Sequence, residues 1–129
     1  MIVIDSDVLI EILDKKSQKG DQALEQLSGS GEEIATTAIC LHEVLYGLHK
    51  YGKPVQEILN LPVLSFTKKD ATLSSRLEFE LEQKGKTAGR TDTMIAAITI
   101  NNNAKLYTFN QKHYQNLQNL GLNLHTQPR

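Results

Sequence analysis

Apolar residues along the chain fall into short unbroken runs separated by stretches of helical spacing. Ile2-Val3-Ile4 is a β-branched run, the pattern of a strand buried on both faces of a parallel sheet. Ser6 or Asp7 then stands where a helix N-cap belongs, ahead of Val8, Leu9, Ile12 and Leu13 at helical spacing. A second short helix fits residues 21–27, and residues 28–31 form a turn-rich break. Residues 33–36 read as a short strand. Thr37 opens a long helix to about Lys50, with Ala38, Leu41, Val44, Leu45 and Leu48 as its apolar stripe.

Residues 52–54 break the pattern, a short helix follows to Asn60, and residues 61–66 read as a second buried strand. Thr67 or Asp70 begins an amphipathic helix carrying Ala71, Leu73, Leu77 and Leu81, which ends near Lys84-Gly85. A basic loop over 84–90 leads into a helix over 92–101. A strand at 106–108, a polar helix around 110–119 and a last short strand at 122–124 complete the pattern, with a frayed end at 126–129. Strands alternate with helices throughout. The expected fold class is α/β, with a mainly parallel central sheet flanked by helices, in a single domain over residues 1–129.

Composition fits that picture, with 40% hydrophobic and 22% charged residues in a 129-residue chain. The charge balance adds a constraint. Fourteen Lys and Arg against 15 Asp and Glu argue against binding nucleic acid by a basic surface alone. An acidic site shows positive charge to a phosphate only once a divalent cation fills it, so any nucleic-acid function rests on the site. Cys40 is the lone cysteine, which excludes an internal disulfide and fits a reducing compartment. The N-terminus has no positive segment before its apolar run, and no apolar stretch approaches the roughly 18 residues of a spanning helix. A soluble, cytoplasmic protein without membrane association is expected.

Candidate chemistry sits on acids. Asp5 follows the first strand directly, at the carboxyl end where ligands bind in open α/β sheets. A carboxylate partly surrounded by apolar sheet is costly unless a metal or a donor pairs with it. Asp7 reads as a helix cap in preference to an outer-shell acid of the site. Glu43 faces away from the stripe of its helix, between Ile39 and Gly47, and Gly47 suggests close approach by another group because glycine costs about 1 kcal/mol in a helix interior. Asp92 opens the segment Thr93-Met-Ile-Ala-Ala-Ile-Thr-Ile100, apolar nearly all round and therefore buried, where the helix dipole favours an anion. Thr108 and Asn110 follow the later strand with oxygen ligands or hydrogen bonds to offer.

Other chemistries find less support. His42 and His49 are seven residues apart, not the i, i+4 pair of a helical zinc site. Gly85-Lys86-Thr87 lacks the upstream glycine and the preceding strand of a Walker loop. Nothing local marks a Ser/His/Asp or Cys/His nucleophile.

Taken in order, a strand ending Asp5-Ser6-Asp7, then Thr37-x5-Glu43-x3-Gly47, then Gly89-Arg-Thr-Asp92-x2-Ile95-Ala-Ala97, then Leu106-Tyr-Thr108-x-Asn110 resembles the PIN-domain ribonucleases, and among them the VapC toxins of type II toxin–antitoxin pairs. The resemblance runs from Met1 to about Leu124. It implies a PIN-like fold and a metal-dependent endoribonuclease that leaves 5′-phosphate and 3′-hydroxyl ends. Asp5, Glu43 and Asp92 would hold Mg²⁺ or Mn²⁺, with Asn110 completing the catalytic set and Ser6, Thr108 and Arg90 contacting substrate. Lys86 and Lys112 are further candidates for flanking phosphates, and unpaired RNA loops are the expected target. Relatives often carry an acid where this chain has His113 before Tyr114, and Asn or Ser where it has Asp7. The implied partners are RNA, a cognate VapB-like antitoxin and a second copy in a homodimer.

Two rivals remain at this stage. Ile2-Val-Ile-Asp5-Ser-Asp7-Val-Leu9 also fits the opening of haloacid-dehalogenase-like phosphatases with Asp5 as nucleophile, although nothing after Asp92 is acidic to hold their Mg²⁺. A PIN-like interaction domain without catalysis is the other.

Overall fold

The computed structural model describes residues 1–125, so the frayed end expected for residues 126–129 lies outside the described residues. Five strands, β1 (Ile2–Ile4), β2 (Ile34–Thr37), β3 (Val63–Leu64), β4 (Lys105–Tyr107) and β5 (Asn123–Leu124), form one sheet in the order β3-β2-β1-β4-β5. Every pairing is parallel, with Val3 opposite Ala35 on one side and Leu106 on the other. The parallel α/β class expected from the alternation of runs is what the chain adopts.

Helices cover both faces. Ile2, Ile4 and Tyr107 face a core shared with α1 (Ser6–Leu9), α2 (Gln18–Ser28), α3 (Ala38–Lys50) and α4 (Gln56–Leu59). Val3 and Leu106 face the other core, built with α5 (Lys68–Gln83), α6 (Arg90–Asn101) and α7 (Gln115–Gln118). A strand that alternates between two dry cores has no polar position to spare, which is why Ile2-Val3-Ile4 is unbroken. No helix among the described residues is long and apolar enough to cross a membrane.

Several boundaries moved for physical reasons. α1 continues into a π-helical turn, Ile10–Asp14, and α2 begins at Gln18, where Ser17 accepts a hydrogen bond from the Gly20 amide. Residues 61–66 were expected to form a buried strand, but only Val63–Leu64 pair, at the sheet edge with Val63 exposed. In α5, Thr67 and Asp70 form a reciprocal capping box. Ala71 is exposed there, and Asp70 is buried with its carboxylate also accepting from the Asn101 side chain at 2.8 Å. The expected polar helix at 110–119 is a 3₁₀ turn, Gln111–Tyr114, followed by α7, and it buries Tyr114 and Leu117.

Two helix glycines differ sharply in what surrounds them. A Cβ on Gly47 would meet nothing within 4 Å, so the close neighbour expected there is absent among the described residues. A Cβ on Gly20 would lie 2.2 Å from the Glu11 carbonyl oxygen. That helix therefore sits on the backbone of the π-helical turn, a contact only glycine permits.

Candidate active site

β1 is the switch point of the sheet, because β2 lies to one side of it and β4 to the other. Carboxyl ends of strands at such a point bound a crevice where ligands bind. Asp5 ends β1 with no intervening loop, and its amide donates to the Tyr107 carbonyl at 2.9 Å, tying the tips of β1 and β4 together.

Asp5 is buried and also caps α1, its Oδ1 accepting from the Ser6 amide at 2.9 Å. The expectation that Ser6 or Asp7 caps this helix is thus corrected: the extended residue before the helix is Asp5. The Thr108 hydroxyl donates to Asp5 Oδ2 at 2.9 Å, and Cys40 Sγ lies 3.6 Å from Oδ1. Burial, reinforced by the charge of Asp5, pushes the Cys40 thiol up to about 12, so it stays protonated beside the carboxylate.

Glu43 comes from α3, whose start is fixed by Thr37, the last residue of β2 and the N-cap that accepts from the Cys40 amide. It stands at the rim, where Ser6 Oγ donates to its Oε1 at 3.3 Å. Partial burial raises its pKa, with Asp5 and Asp92 adding to the rise and the Ser6 bond opposing it. Asp92 lies in the first turn of α6, which Gly89 opens without a side-chain cap. Its pKa is raised by burial and then by Asp5, while His113 and Tyr114 oppose the rise. His113 Nδ1 stands 4.0 Å from Asp92 Oδ2. A Cβ on Gly89 would press to 3.2 Å from that same oxygen, so the glycine leaves the carboxylate room.

These residues line one cleft of about 330 Å³: Asp5, Ser6, Asp7, Glu43, Asp92 and Asn110, joined by Thr91, Ile95, His113 and Tyr114. Ser6 and Asn110 line the cleft, whereas Thr108, expected to contact substrate, is buried beneath it with its hydroxyl on Asp5. Arg90 is not among the lining residues. It leaves the cleft for α5, where Nε and the guanidinium's second nitrogen each donate to a Glu78 oxygen at 3.1 Å. Neither Lys86 nor Lys112 lines the cleft. Tyr114, passed over in the sequence except as the neighbour of His113, is buried, and its phenol is pushed up by burial and by the charges of Asp5 and Asp92.

Asp7 is the larger surprise. Its Oδ2 accepts from the Phe109 amide at 3.1 Å and lies 3.4 Å from the Thr108 hydroxyl, while Oδ1 is buried with no hydrogen-bond partner among the described residues. Burial and the charge of Asp5 raise its pKa to about 6. No signal local to Ser6-Asp7-Val8 distinguishes this role from a cap, because the bonds are made 101 and 102 residues away.

The raised acids fix a sign. The folded protein without cation holds the Asp7 proton to about pH 6, whereas an unfolded chain releases it near pH 4. The stability this supplies is complete below about pH 4 and lost as pH rises through about 6. Asp7→Asn keeps an acceptor for the Phe109 amide and removes the charge. In chelator, the melting temperature of Asp7→Asn should therefore rise above wild type progressively between about pH 4 and pH 7. The upper bound is about 3 kcal/mol, reduced to about 1–2 kcal/mol by partial exposure of the carboxylate. A difference that shrinks with rising pH would contradict it. Divalent cation should reverse the wild-type loss.

Among the described residues, no three His, Cys, Asp or Glu side chains converge tightly enough to cage an ion unaided. The donor set nonetheless fits a hard divalent cation that keeps part of its water shell. It offers carboxylate oxygens whose pKa values are raised by burial and then by neighbouring negative charge, beside the unpartnered Asp7 Oδ1.

The chain matches the family model described as PIN domain over residues 2–117. It is 30% identical over 125 residues to Ribonuclease VapC2 of Rickettsia felis, covering 92% of each. Among solved structures, it is similar to the crystal structure of VapBC2 from Rickettsia felis bound to a DNA fragment from their promoter. That likeness has a TM-score of 0.81 at 29% identity and covers 99% of this chain and 100% of the other. FitAcB from Neisseria gonorrhoeae shares the fold at a TM-score of 0.81 and 19% identity, over 98% and 97% of the two chains. A match running from the first strand to beyond the last residue of the cleft takes in the whole acidic site: the chain belongs to the PIN-domain family, among its VapC members.

Proposed function

We propose that this protein is a divalent-metal-dependent endoribonuclease, the toxin of a type II toxin–antitoxin pair, acting in the cytoplasm on RNA. The observation that carries this reading is the meeting of Asp5, Glu43 and Asp92, from three separate segments, in one cleft at the sheet's switch point. The relative named Ribonuclease VapC2 supports the activity, and the likeness to VapBC2 supports a VapB-like antitoxin as partner. A homodimer is the proposed assembly of the toxin itself.

Asp5, Glu43 and Asp92 are the residues proposed to hold Mg²⁺ or Mn²⁺, with Asn110 at the rim. A divalent cation there supplies positive charge for the scissile phosphate and acidifies an attacking water. The protein's own part is placement. The Ser6 amide and the Thr108 hydroxyl fix both oxygens of Asp5, so its charge needs no reorganisation when substrate arrives. Ser6 Oγ gives its one proton to Glu43, so the neutral donor left for a phosphate oxygen is the side-chain amide of Asn110. Tyr114 walls the inner side and the Cys40 thiol lies buried behind Asp5, both kept protonated and adding no charge.

The phosphatase alternative needs acids late in the chain, where this sequence has none beyond Asp92, and the family match sets it aside. Purified protein with Mn²⁺ or Mg²⁺ should cleave RNA at mapped positions, and chelator, Glu43→Gln or Asp92→Asn should stop it. Full cleavage by Asp92→Asn would sink the proposed site. A folded wild-type protein that binds no divalent cation and cuts no RNA would leave the interaction-domain reading instead.

A further inference from the structure

The acidic cleft is not the molecule's only hollow. A groove of about 520 Å³ runs between α2 and the end of β4, lined by Lys19, Gln22, Gln26, Tyr107 and Phe109. Lys19, Gln22 and Gln26 are spaced i, i+3 and i+7, so one face of α2 turns a cation and two amides toward an aromatic ring. The Lys19 ammonium stands 4.1 Å from the centre of the half-buried Phe109 ring. The Tyr107 hydroxyl donates to Gln26 Oε1 at 2.5 Å. That bond fixes the orientation of the amide, because its oxygen is occupied and its NH₂ is left to donate into the groove.

One stretch of chain, 108–110, serves both the groove and the cleft. Phe109 lines the groove, while its neighbours Thr108 and Asn110 support and line the acidic site. The Phe109 amide is itself anchored by Asp7, so the ring is held in register with the acids.

We propose that this groove is a nucleotide subsite that seats an unpaired base of the RNA beside the scissile phosphate, a proposal that rests on the ribonuclease reading above. A flat aromatic face takes any base by stacking, and amide donors read the acceptor atoms on a base edge. A base stacked on Phe109 takes the place of the Lys19 ammonium, which then pairs with that nucleotide's phosphate. Glu25, the one acid in the lining, keeps the phosphate on the Lys19 side. In the acidic cleft Tyr114 is buried and His113 stands beside Asp92, so this groove supplies a separate stacking contact that distinguishes an RNA strand from a bare phosphodiester.

The test uses the full chain with Mn²⁺. Binding of a fluorescent single-stranded oligoribonucleotide pool of random sequence is read by anisotropy on a cleavage-dead Asp5→Asn background. KM and kcat for RNA cleavage are measured on the wild-type background. Phe109→Leu, which keeps apolar packing but loses the stacking face, should weaken binding and raise KM by about tenfold with kcat little changed. Phe109→Tyr should restore both. The exposed pair Lys19→Ala/Gln22→Ala should act in the same direction as Phe109→Leu without altering the melting temperature. If wild type cleaves RNA while Phe109→Leu and the Lys19/Gln22 variant bind and cleave with unchanged KM, the subsite is overturned and the ribonuclease reading survives. The subsite is likewise overturned if those variants keep RNA affinity but lose the antitoxin, which would assign the groove to a peptide. A wild type that neither binds nor cuts RNA takes both readings down together.

Discussion

Asp5→Asn should abolish RNA cleavage while leaving the fold intact. Asn is as good an N-cap as Asp, so the Ser6 amide keeps its acceptor and α1 its start. The Thr108 hydroxyl, which now donates to Asp5 Oδ2, has a second acceptor 3.4 Å away in Asp7 Oδ2, so the change strands no buried hydroxyl proton. What disappears is a fixed negative charge at the deepest point of the cleft. Removing one preorganised group that interacts with developing charge costs roughly 10²–10³ in kcat, and loss of a cation ligand adds to that. Cleavage rates with saturating Mn²⁺, beside thermal melts of the same preparations, measure both halves. The prediction also requires a sign on stability: with one fewer like charge beside Asp7, Glu43 and Asp92, the variant should melt no lower than wild type in chelator. Retained cleavage, or loss of cleavage together with loss of fold, would each refute this account of Asp5.

The second large effect concerns a residue far from the acids. In an isolated helix, replacing glycine by alanine gains about 1 kcal/mol, so helix propensity alone would make Gly20→Ala stabilising. The structure reverses the sign. The added methyl carbon would lie 2.2 Å from Glu11 O, 2.5 Å from its carbonyl carbon and 2.8 Å from the Ile12 amide nitrogen. All three are backbone atoms, and Glu11 O already accepts the Ser17 amide at 3.1 Å, so the π-helical turn has nowhere to retreat. Overpacking against backbone costs about 3 kcal/mol, enough to lower the melting temperature by roughly 10 °C in a chain of this size. Because α2 carries Lys19, Gln22 and Gln26, displacing it should also weaken RNA binding ahead of catalysis. Equal or higher thermal stability in Gly20→Ala would show that the turn yields more easily than its hydrogen bonds suggest.

The contrast between Gly20 and Gly47 explains how far the sequence could be read. Both are helix glycines, and only the chain's three-dimensional course reveals which one has a neighbour. Ile2-Val3-Ile4 was legible because burial on both faces leaves a local signature. The 61–66 run misled because apolar content does not say whether a strand is central or at an edge, and Val63 ended exposed. Asp5 followed from its place at a strand end. Glu43 did not, since the Ser6 hydroxyl that holds it is 37 residues away, and periodicity alone makes it a solvated helix residue. Arg90 sat beside Asp92 in sequence and so suggested a phosphate contact, yet the nearer acid in space is Glu78, twelve residues back on another helix. Asp7 was hidden for a related reason: once Asp5 takes the cap, its neighbour is free to reach across to Phe109.

The Thr108–Asp5 hydrogen bond closes a span of 103 residues, and the pairing of β4 with β1 closes a similar one. Such distant contacts form only after the intervening chain exists. On a ribosome adding about 5–20 residues per second, Asp5 and Glu43 emerge seconds before β4 is there to meet them. During that interval the acids are present but the cleft is not. The chain acquires the means to cut RNA only when β4 has been made and folded against β1, so no nascent chain short of Thr108 is armed.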